Sequence, residues 1–457
     1  MNRFFSIFAV LFLALATALP GEQPPDRMRE LEKKVEELQR RLDTLSAGAD
    51  EATRRQIEEL RRQIDVLTRE IENLKSAAPE KPAPSGSRGA FGLGPAASKV
   101  YGSTRGVSIG GYGEVLYQNF DRERDGAPSD RTDTIDLARA VFYFGYKFDD
   151  HFLFNSEIEY EHATTGEGAE EKGEVSVEFA YLDYLIRPEV NLRAGLVLLP
   201  VGFVNELHEP PVFLGARRPD VEDRILPTTW RELGVGAFGN AGPFAYRAYL
   251  VNGLDAAGFE GSDPLHEARQ SGSNARAEDF AVTGRLDFTG LPGVLVGASG
   301  YTGGSGQGRR VDGRSLDARV TLLDAHAEWR WRGIQARALA ARGTIGHAAD
   351  VNRANGFSGT DSVPRRFSGG YVEAGYDVLF GRGSASLVPF VRRESYDTQD
   401  EVPRGFEADP ANDVRLWTLG LQYRPIPQVV LKVDYQDVRN EARTGVNQWN
   451  VALGWLF

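Results

Sequence analysis

The chain closes on Val446-Asn-Gln-Trp-Asn-Val-Ala-Leu-Gly-Trp-Leu-Phe457. Trp449, Val451, Leu453, Trp455 and Phe457 share one parity; Asn450, Ala452 and Gly454 share the other. A period of two sends alternate side chains to opposite faces of a strand. One face is therefore wholly apolar with aromatic rings at both ends, and the other is small or polar. A soluble sandwich strand also alternates, but it rarely gathers two Trp and a terminal Phe on one face. A strand crossing a membrane in a closed barrel needs that division: hydrocarbon outside, water inside, aromatic rings at each interface.

The pattern repeats upstream. Strand-like segments fall at 107–120, 134–148, 151–162, 173–186, 190–198, 231–240, 243–252, 278–289, 292–302, 316–331, 334–345, 366–380, 385–396, 413–424, 428–440 and 446–457. Short links such as Asp149-Asp150, Ala241-Gly242 and Arg332-Gly333 alternate with long ones at 121–133, 163–172, 199–230, 253–277, 303–315, 346–365, 397–412 and 441–445. Short turns at one end and long loops at the other are the asymmetry of a transmembrane barrel, and a soluble all-β fold has no reason to keep it. Lipid-facing parity is legible in Ala138, Ala140, Phe142, Phe144, Tyr146 and Phe148, and again in Val429, Leu431, Val433 and Tyr435. The expected fold class is an all-β transmembrane barrel of about 16 antiparallel strands over residues 99–457, preceded by an N-terminal α-helical coiled coil.

The front of the chain supplies an address. Asn2-Arg3 is followed by an apolar run from Phe4 to Leu15 and by Ala16-Thr17-Ala18, the form of a signal-peptidase site, so residues 1–18 read as a signal peptide. About twelve apolar residues are too few to span a bilayer. Met28, Leu31, Val35, Leu38, Leu42 and Leu45, and then Ile57, Leu60, Ile64, Leu67, Ile71 and Leu74, recur at 3-4 spacing. That is a coiled-coil seam over residues 25–76, with a register slip through Ser46–Asp50. It implies self-association, and Ile with Leu in these positions favours two strands. Residues 77–98, rich in Pro, Gly, Ala and Ser, read as a semi-flexible linker. The 457 residues include no Cys and carry a net charge of −12. Residues 1–98 balance 15 basic against 15 acidic side chains, so the excess belongs to the barrel and a nucleic-acid partner is excluded.

Sixteen strands enclose an aqueous channel rather than a packed interior. The longest connection, 199–230, carries Val201, Phe203, Val212, Phe213, Leu214, Ile225 and Leu226 and is too apolar to stand in solvent. It is expected to fold into the lumen, leaving Glu206, His208, Glu209, Arg217, Arg218 and Arg224 at a constriction. Inward parity gives the cations Arg139, Lys147, Arg193, Arg247, Arg285, Arg330, Arg337 and Lys432. It also gives Glu157, Glu159, Glu161, Glu174, Glu178, Asp287, Asp324, Glu328, Glu373, Asp377 and Asp434. A ladder of cations would pass anions; an ion-paired lining would not discriminate, and both readings stay open. Glu206-x-His208-Glu209 has metal-ligand residue types, but two Pro follow and no second cluster exists, so neither metal nor cofactor is expected. Asp324, His326 and Glu328 share one face without a nucleophile motif, and no enzyme is expected.

The block GGYGEVLYQNF at 110–120 and the block LRAGLVLLPVGF…RRPDVEDRILPTTWRELGVG at 192–236, with the coiled coil and the strand rhythm, resemble the phosphate-selective porin O/P family. The ending on Phe457 resembles the assembly signal of bacterial outer-membrane barrels. The family resemblance implies a trimeric sixteen-stranded porin with an arginine-lined path and inward loops that select anions such as phosphate. The partners it implies are outer-membrane lipid, copies of the same chain, and small hydrophilic solutes or anions. The coiled coil would lie in the periplasm, where peptidoglycan or a periplasmic protein is a further partner. Two other readings remain: a tether between outer membrane and cell wall with the barrel as anchor, and a barrel hydrolase dependent on His326 or His208.

Overall fold

The computed structural model describes residues 89–457, apart from 125–126 and 166–172, together with the scattered helical residues 36, 37, 40, 61, 62, 64–66 and 68. Two compact units divide at Ala83/Pro84. In the first, the described residues are helical, with Glu36 and Arg40 paired one turn apart at 3.8 Å. The expected signal peptide, most of the coiled coil and the linker as far as residue 88 lie outside the described residues.

The second unit is a closed antiparallel barrel of sixteen strands. In chain order they are β1 Gly106–Phe120, β2 Thr134–Lys147, β3 Phe152–Glu161, β4 Val175–Arg187, β5 Val190–Leu198, β6 Arg231–Ala241, β7 Phe244–Asn252 and β8 Phe280–Leu291. There follow β9 Val294–Gly303, β10 Val320–Trp331, β11 Ile334–Ile345, β12 Arg366–Tyr376, β13 Ser386–Glu401, β14 Asp413–Ile426, β15 Val429–Asn440 and β16 Gln448–Leu456. Each pairs with its successor in sequence, and β16 returns to β1. Turns at one end are short; at Arg332-Gly333 both residues have positive φ (45° and 87°), the backbone of a tight two-residue hairpin. The other end carries the long connections. The strand order and count follow the alternation read from the sequence, while β12 stops at Tyr376 and β13 runs on to Glu401.

Outward parity is apolar. Phe142, Phe144, Tyr146, Leu182, Val235, Leu250, Leu286, Val296, Leu323, Val372 and Leu419 are exposed on the wall. Tyr146, Phe152, Tyr184, Phe244, Trp331 and Tyr376 ring the short-turn end, and Phe280, Trp417 and Trp449 the long-loop end. This exterior is suited to hydrocarbon with aromatic girdles at two interfaces. One expected face shifts: a bulge pairs Glu114 with Arg139 and Val115 with Leu137, skipping Ala138. Beyond it Ile135 rather than Asp136 takes the exposed position, because a bulge exchanges the parity of everything after it.

The seam shows why β16 has its composition. Tyr112 to Phe120 pair with Leu456 to Gln448, and Gly111 and Phe457 exchange N–H···O bonds of 3.0 and 2.9 Å. Asn450 and Ala452 are buried inward, whereas Trp449 is exposed. Gly111 and Gly113 leave the room that the Phe457 and Trp455 rings occupy; a Cβ at Gly111 would stand 2.7 Å from Cζ of Phe457, and one at Gly113 would collide with the indole. Gly113→Val is therefore expected to overpack the seam by about 1–3 kcal/mol. The check is the heat-modifiable gel shift of the refolded barrel, with Gly113→Val/Trp455→Leu recovering the folded band and Gly113→Val alone depleting it.

Candidate pore lining

The connection 199–230 lies inside the barrel, and hydrogen bonds fix its course along the wall from β8 to β15. Arg285 of β8 donates to Gly202 O, and Asp324 of β10 accepts from Gly202 N at 3.2 Å. Tyr371 Oη of β12 donates to Glu222 at 2.6 Å, and Glu394 of β13 accepts from Val221 N at 3.1 Å. Gln422 and Arg424 of β14 donate to Phe213 O and Pro211 O at 2.8 and 3.2 Å. From β15, Lys432 Nζ donates to Gly215 O at 2.8 Å and Asp434 accepts from Ala216 N at 2.6 Å. Inward glycines make the approach feasible: a Cβ on Gly369 or Gly375 would stand 3.1 Å from Ile225 or Leu214. Of the apolar residues that made this loop conspicuous, Val201, Phe203, Ile225 and Leu226 join Val204, Val221 and Trp230 in a buried core within the lumen, Leu214 packs with Val388 and Phe390, and Val212 and Phe213 are buried as well. Glu222 holds the loop to itself by accepting from Phe203 N and Val204 N, each at 2.6 Å.

The six residues expected at a constriction do not converge. Glu206 pairs with Arg247 Nε at 2.9 Å. His208 places Nε2 2.9 Å from Glu157 and Nδ1 2.9 Å from Asn205 O. Burial disfavours the charged imidazole of His208, but the Glu157 carboxylate outweighs it and raises the pKa. Glu209 turns the other way, accepting from Ala96 N and Ala97 N at 2.9 and 3.0 Å. So His208 and Glu209 diverge, each engaged by partners on a different side of the loop. Arg217 approaches Asp220 at 3.7 Å, Arg218 donates to Thr228 Oγ1 at 3.3 Å, and Arg224, partly exposed, reaches Asp263 of the connection 253–279 at 3.2 Å.

The wall cations face inward and are mostly matched to acids. Arg139 lies 3.5 and 3.6 Å from Glu114 and Glu159. Arg193 holds Asp183 at 2.8 Å between the rings of Tyr181 and Phe238. Arg285 and Arg247 converge on Asp287 at 2.8 and 3.6 Å, and Arg330 and Arg337 on Glu328 at 3.1 and 2.5 Å. Lys147 ends β2 at the short-turn rim, away from these groups. Glu174 and Asp377, read as inward, fall instead in connections; Asp377 accepts from Leu379 N and Leu387 N at the turn.

Two lumen arginines escaped the sequence reading. Arg392 pairs with Glu394 and Glu373 at 2.7 and 3.3 Å, and Arg424 donates to Pro211 O while its Nε and Nη2 find no partner. The signal was present: Arg392-Arg393 must put one guanidinium on each face, and Leu416, Thr418, Gly420, Gln422, Arg424 is the polar parity of β14. His326 has Nε2 2.8 Å from Asp287 and Nδ1 2.6 Å from Asp324, while Ser299 Oγ donates to Asp324. Both ring nitrogens face carboxylates, so neither is directed at a hydroxyl nucleophile.

Fold and lining together define a sixteen-stranded antiparallel barrel of the kind found in outer-membrane porins. The chain belongs to the same family as an uncharacterized protein of Aquifex aeolicus (strain VF5), with which it is 41% identical over 376 residues covering 80% of this chain and 83% of that one. No family model matches, so the phosphate-porin resemblance stands on the sequence blocks quoted above. Among solved structures, Salmonella typhi OmpF in complex with daunomycin matches at a TM-score of 0.52 with 13% identity, covering 78% of this chain and 98% of that one. The outer membrane channel DcaP of Acinetobacter baumannii matches at 0.48 with 14% identity, covering 77% and 97%. An anion-selective porin from Comamonas acidovorans matches at 0.47 with 11% identity, covering 77% and 99%.

Two outcomes follow. Asp287→Ala leaves Arg285, Arg247 and His326 without their shared carboxylate, and stranding a buried charge costs about 3–5 kcal/mol; the midpoint of urea unfolding should fall accordingly, and a fall under 1 kcal/mol would refute the node. Burial pushes the Glu209 carboxyl from 4.5 up to about 7, against its two backbone donors and the nearby His208, with Glu157 adding to the rise. A carboxyl held high contributes stability that is full below pH 4.5 and lost as pH rises through 7. Glu209→Gln keeps the acceptor and removes the titration, so the amide-exchange protection of Ala96 and Ala97, corrected for intrinsic rates, should become flat between pH 5 and 8.

Proposed function

We propose that the chain is an outer-membrane porin for passive diffusion of small hydrophilic solutes or ions. One observation carries the reading: an apolar, aromatic-girdled exterior surrounds a wall that carries charged or polar inward side chains in every sector, interleaved with inward aromatic and aliphatic ones such as Tyr112, Phe179 and Leu322. The charged and polar share of that lining suits water and ions. In this reading the connection 199–230 narrows the path. Anions such as phosphate are the finer proposal, and the cations that favour them are Arg424 and Lys432, which donate to loop carbonyls rather than to carboxylates. The ion-paired remainder limits that preference. We read the protein as non-enzymatic, the His326 nitrogens being engaged by Asp287 and Asp324. The signal-like residues 1–18 support export, and the heptad stripe between Met28 and Leu74 supports periplasmic self-association, with two strands favoured by its Ile and Leu positions, three by the family resemblance, and the cell wall as a further partner.

The test is reversal potential across a planar bilayer under a potassium chloride gradient. A modest anion bias is expected, and Arg424→Ala should lower the anion-to-cation permeability ratio about twofold. Added phosphate should block the current if phosphate is the favoured solute. A cation bias unchanged by Arg424→Ala would remove the anion proposal, and absence of conductance under every condition would remove the porin reading.

A further inference from the structure

The stretch expected to be a linker is, from Gly89 onward, packed inside the barrel. Residues 89–102 form a 3-10 turn at Ala90–Gly92, a turn, and a short helix at Lys99–Gly102. Leu93, Ala96, Ala97, Ser98 and Val100 are buried. Four strands hold the segment. Asn155 of β3 donates to Ala97 O at 2.9 Å. Tyr101 Oη donates to Asp183 of β4 at 2.5 Å and accepts from Arg193 of β5 at 2.7 Å. Phe91 meets Phe238 of β6 edge to face at 4.9 Å between centroids. The fifth hold is the loop itself, through Glu209.

The segment is cut to this surface. A Cβ on Gly92 would fall on the Arg247 guanidinium and one on Gly94 on the Glu209 carboxylate. On the wall, a Cβ on Gly145 would stand 2.6 Å from Cβ of Val100. Small residues thus occur where the segment and its receptor meet, on both sides of the contact. Two insertions share the lumen: residues 89–102 lie against the wall from β1 to β7, the connection 199–230 lies mainly along β8–β16 and reaches Glu157 of β3 and Arg247 of β7, and they join at Glu209. Arg193, Arg247, Arg285, Arg392 and Arg424 are left 0–4% exposed. Charges lining an open aqueous path would keep their water.

We propose that residues 89–102 are an autoinhibitory plug, which closes the lumen from the short-turn side by docking on Glu209 and leaves when the channel conducts. This rests on the porin reading above. It places the release in the chain that enters the barrel, and makes the full-length protein a gated rather than a permanently open pore.

Single-channel current of the full-length protein in a planar bilayer is the test, against Gly92→Leu/Gly94→Leu and against deletion of residues 89–98. The wild type should be mostly closed, and both variants should conduct at least fivefold more charge over time while keeping the heat-modifiable shift of a folded barrel. Equal conductance in folded variants overturns the plug. Conductance in neither wild type nor variants overturns the porin reading and the plug with it. Because the chain contains no Cys, Ala96→Cys provides a second measurement that does not depend on leucine variants folding. A charged methanethiosulfonate reagent added on the short-turn side should label it and hold the channel open. Labelling without a rise in current, or no labelling during hours of recorded openings, means that the segment does not move and overturns the proposal.

Discussion

Everything in this molecule depends on a closed ring of backbone hydrogen bonds. In hydrocarbon an unpaired N–H or C=O costs several kcal/mol, so a sheet with an edge has no place there. The ring closes where Tyr112 to Phe120 meet Leu456 to Gln448, and its last bonds are those between Gly111 and Phe457. The glycines at 111 and 113 and the aromatic rings at 455 and 457 form one arrangement, since the rings need the space that absent side chains leave. Sixteen strands then fix a circumference too wide for wall side chains to fill. What occupies the interior must come from connections or from water.

That necessity explains the lumen's chemistry. A loop buried with only a 3-10 turn at Pro210–Val212 and one helical turn at Val221–Arg224 leaves many backbone donors and acceptors that must find partners. The wall provides them: Asp434 takes Ala216 N, Glu394 takes Val221 N, and Lys432, Gln422 and Arg424 serve the carbonyls of Gly215, Phe213 and Pro211. Ion pairs desolvated in this way add little over apolar packing of the same volume. Their effect is to specify one path for the loop, because a displaced loop would leave several carboxylates and guanidinium groups stranded together. The charged wall is therefore the template of the loop as much as the lining of a channel.

The strands were legible because each must satisfy a period of two with opposite demands on its faces, and sixteen repetitions make the pattern hard to mistake. Parity failed where a bulge intervened, at Ala138, since one inserted residue leaves no compositional trace. Apolar content also identified the connection 199–230 as an inward loop, because Phe203, Ile225 and Leu226 had to be buried somewhere. The divergence of its charged residues was not legible. Glu206, His208 and Glu209 are adjacent in sequence, yet they bind Arg247, Glu157 and the amides of Ala96 and Ala97, which approach from different directions. Local spacing shows which side chains are neighbours on the loop, whereas the partner of each is set by the barrel's curvature.

The segment before the first strand illustrates a deeper ambiguity. Gly, Ala, Pro and Ser lower the cost of disorder, and the same residues permit close approach of one backbone to another surface. Composition alone does not separate the two uses. At Gly92 and Gly94 the missing side chain is filled by a guanidinium and a carboxylate from β7 and from the loop, and at Gly145 the wall has itself given up a side chain to admit Val100. A linker has no such counterpart. Matched small residues on two surfaces far apart in sequence are what distinguish a docked segment from a flexible one, and only the folded barrel brings the two surfaces together.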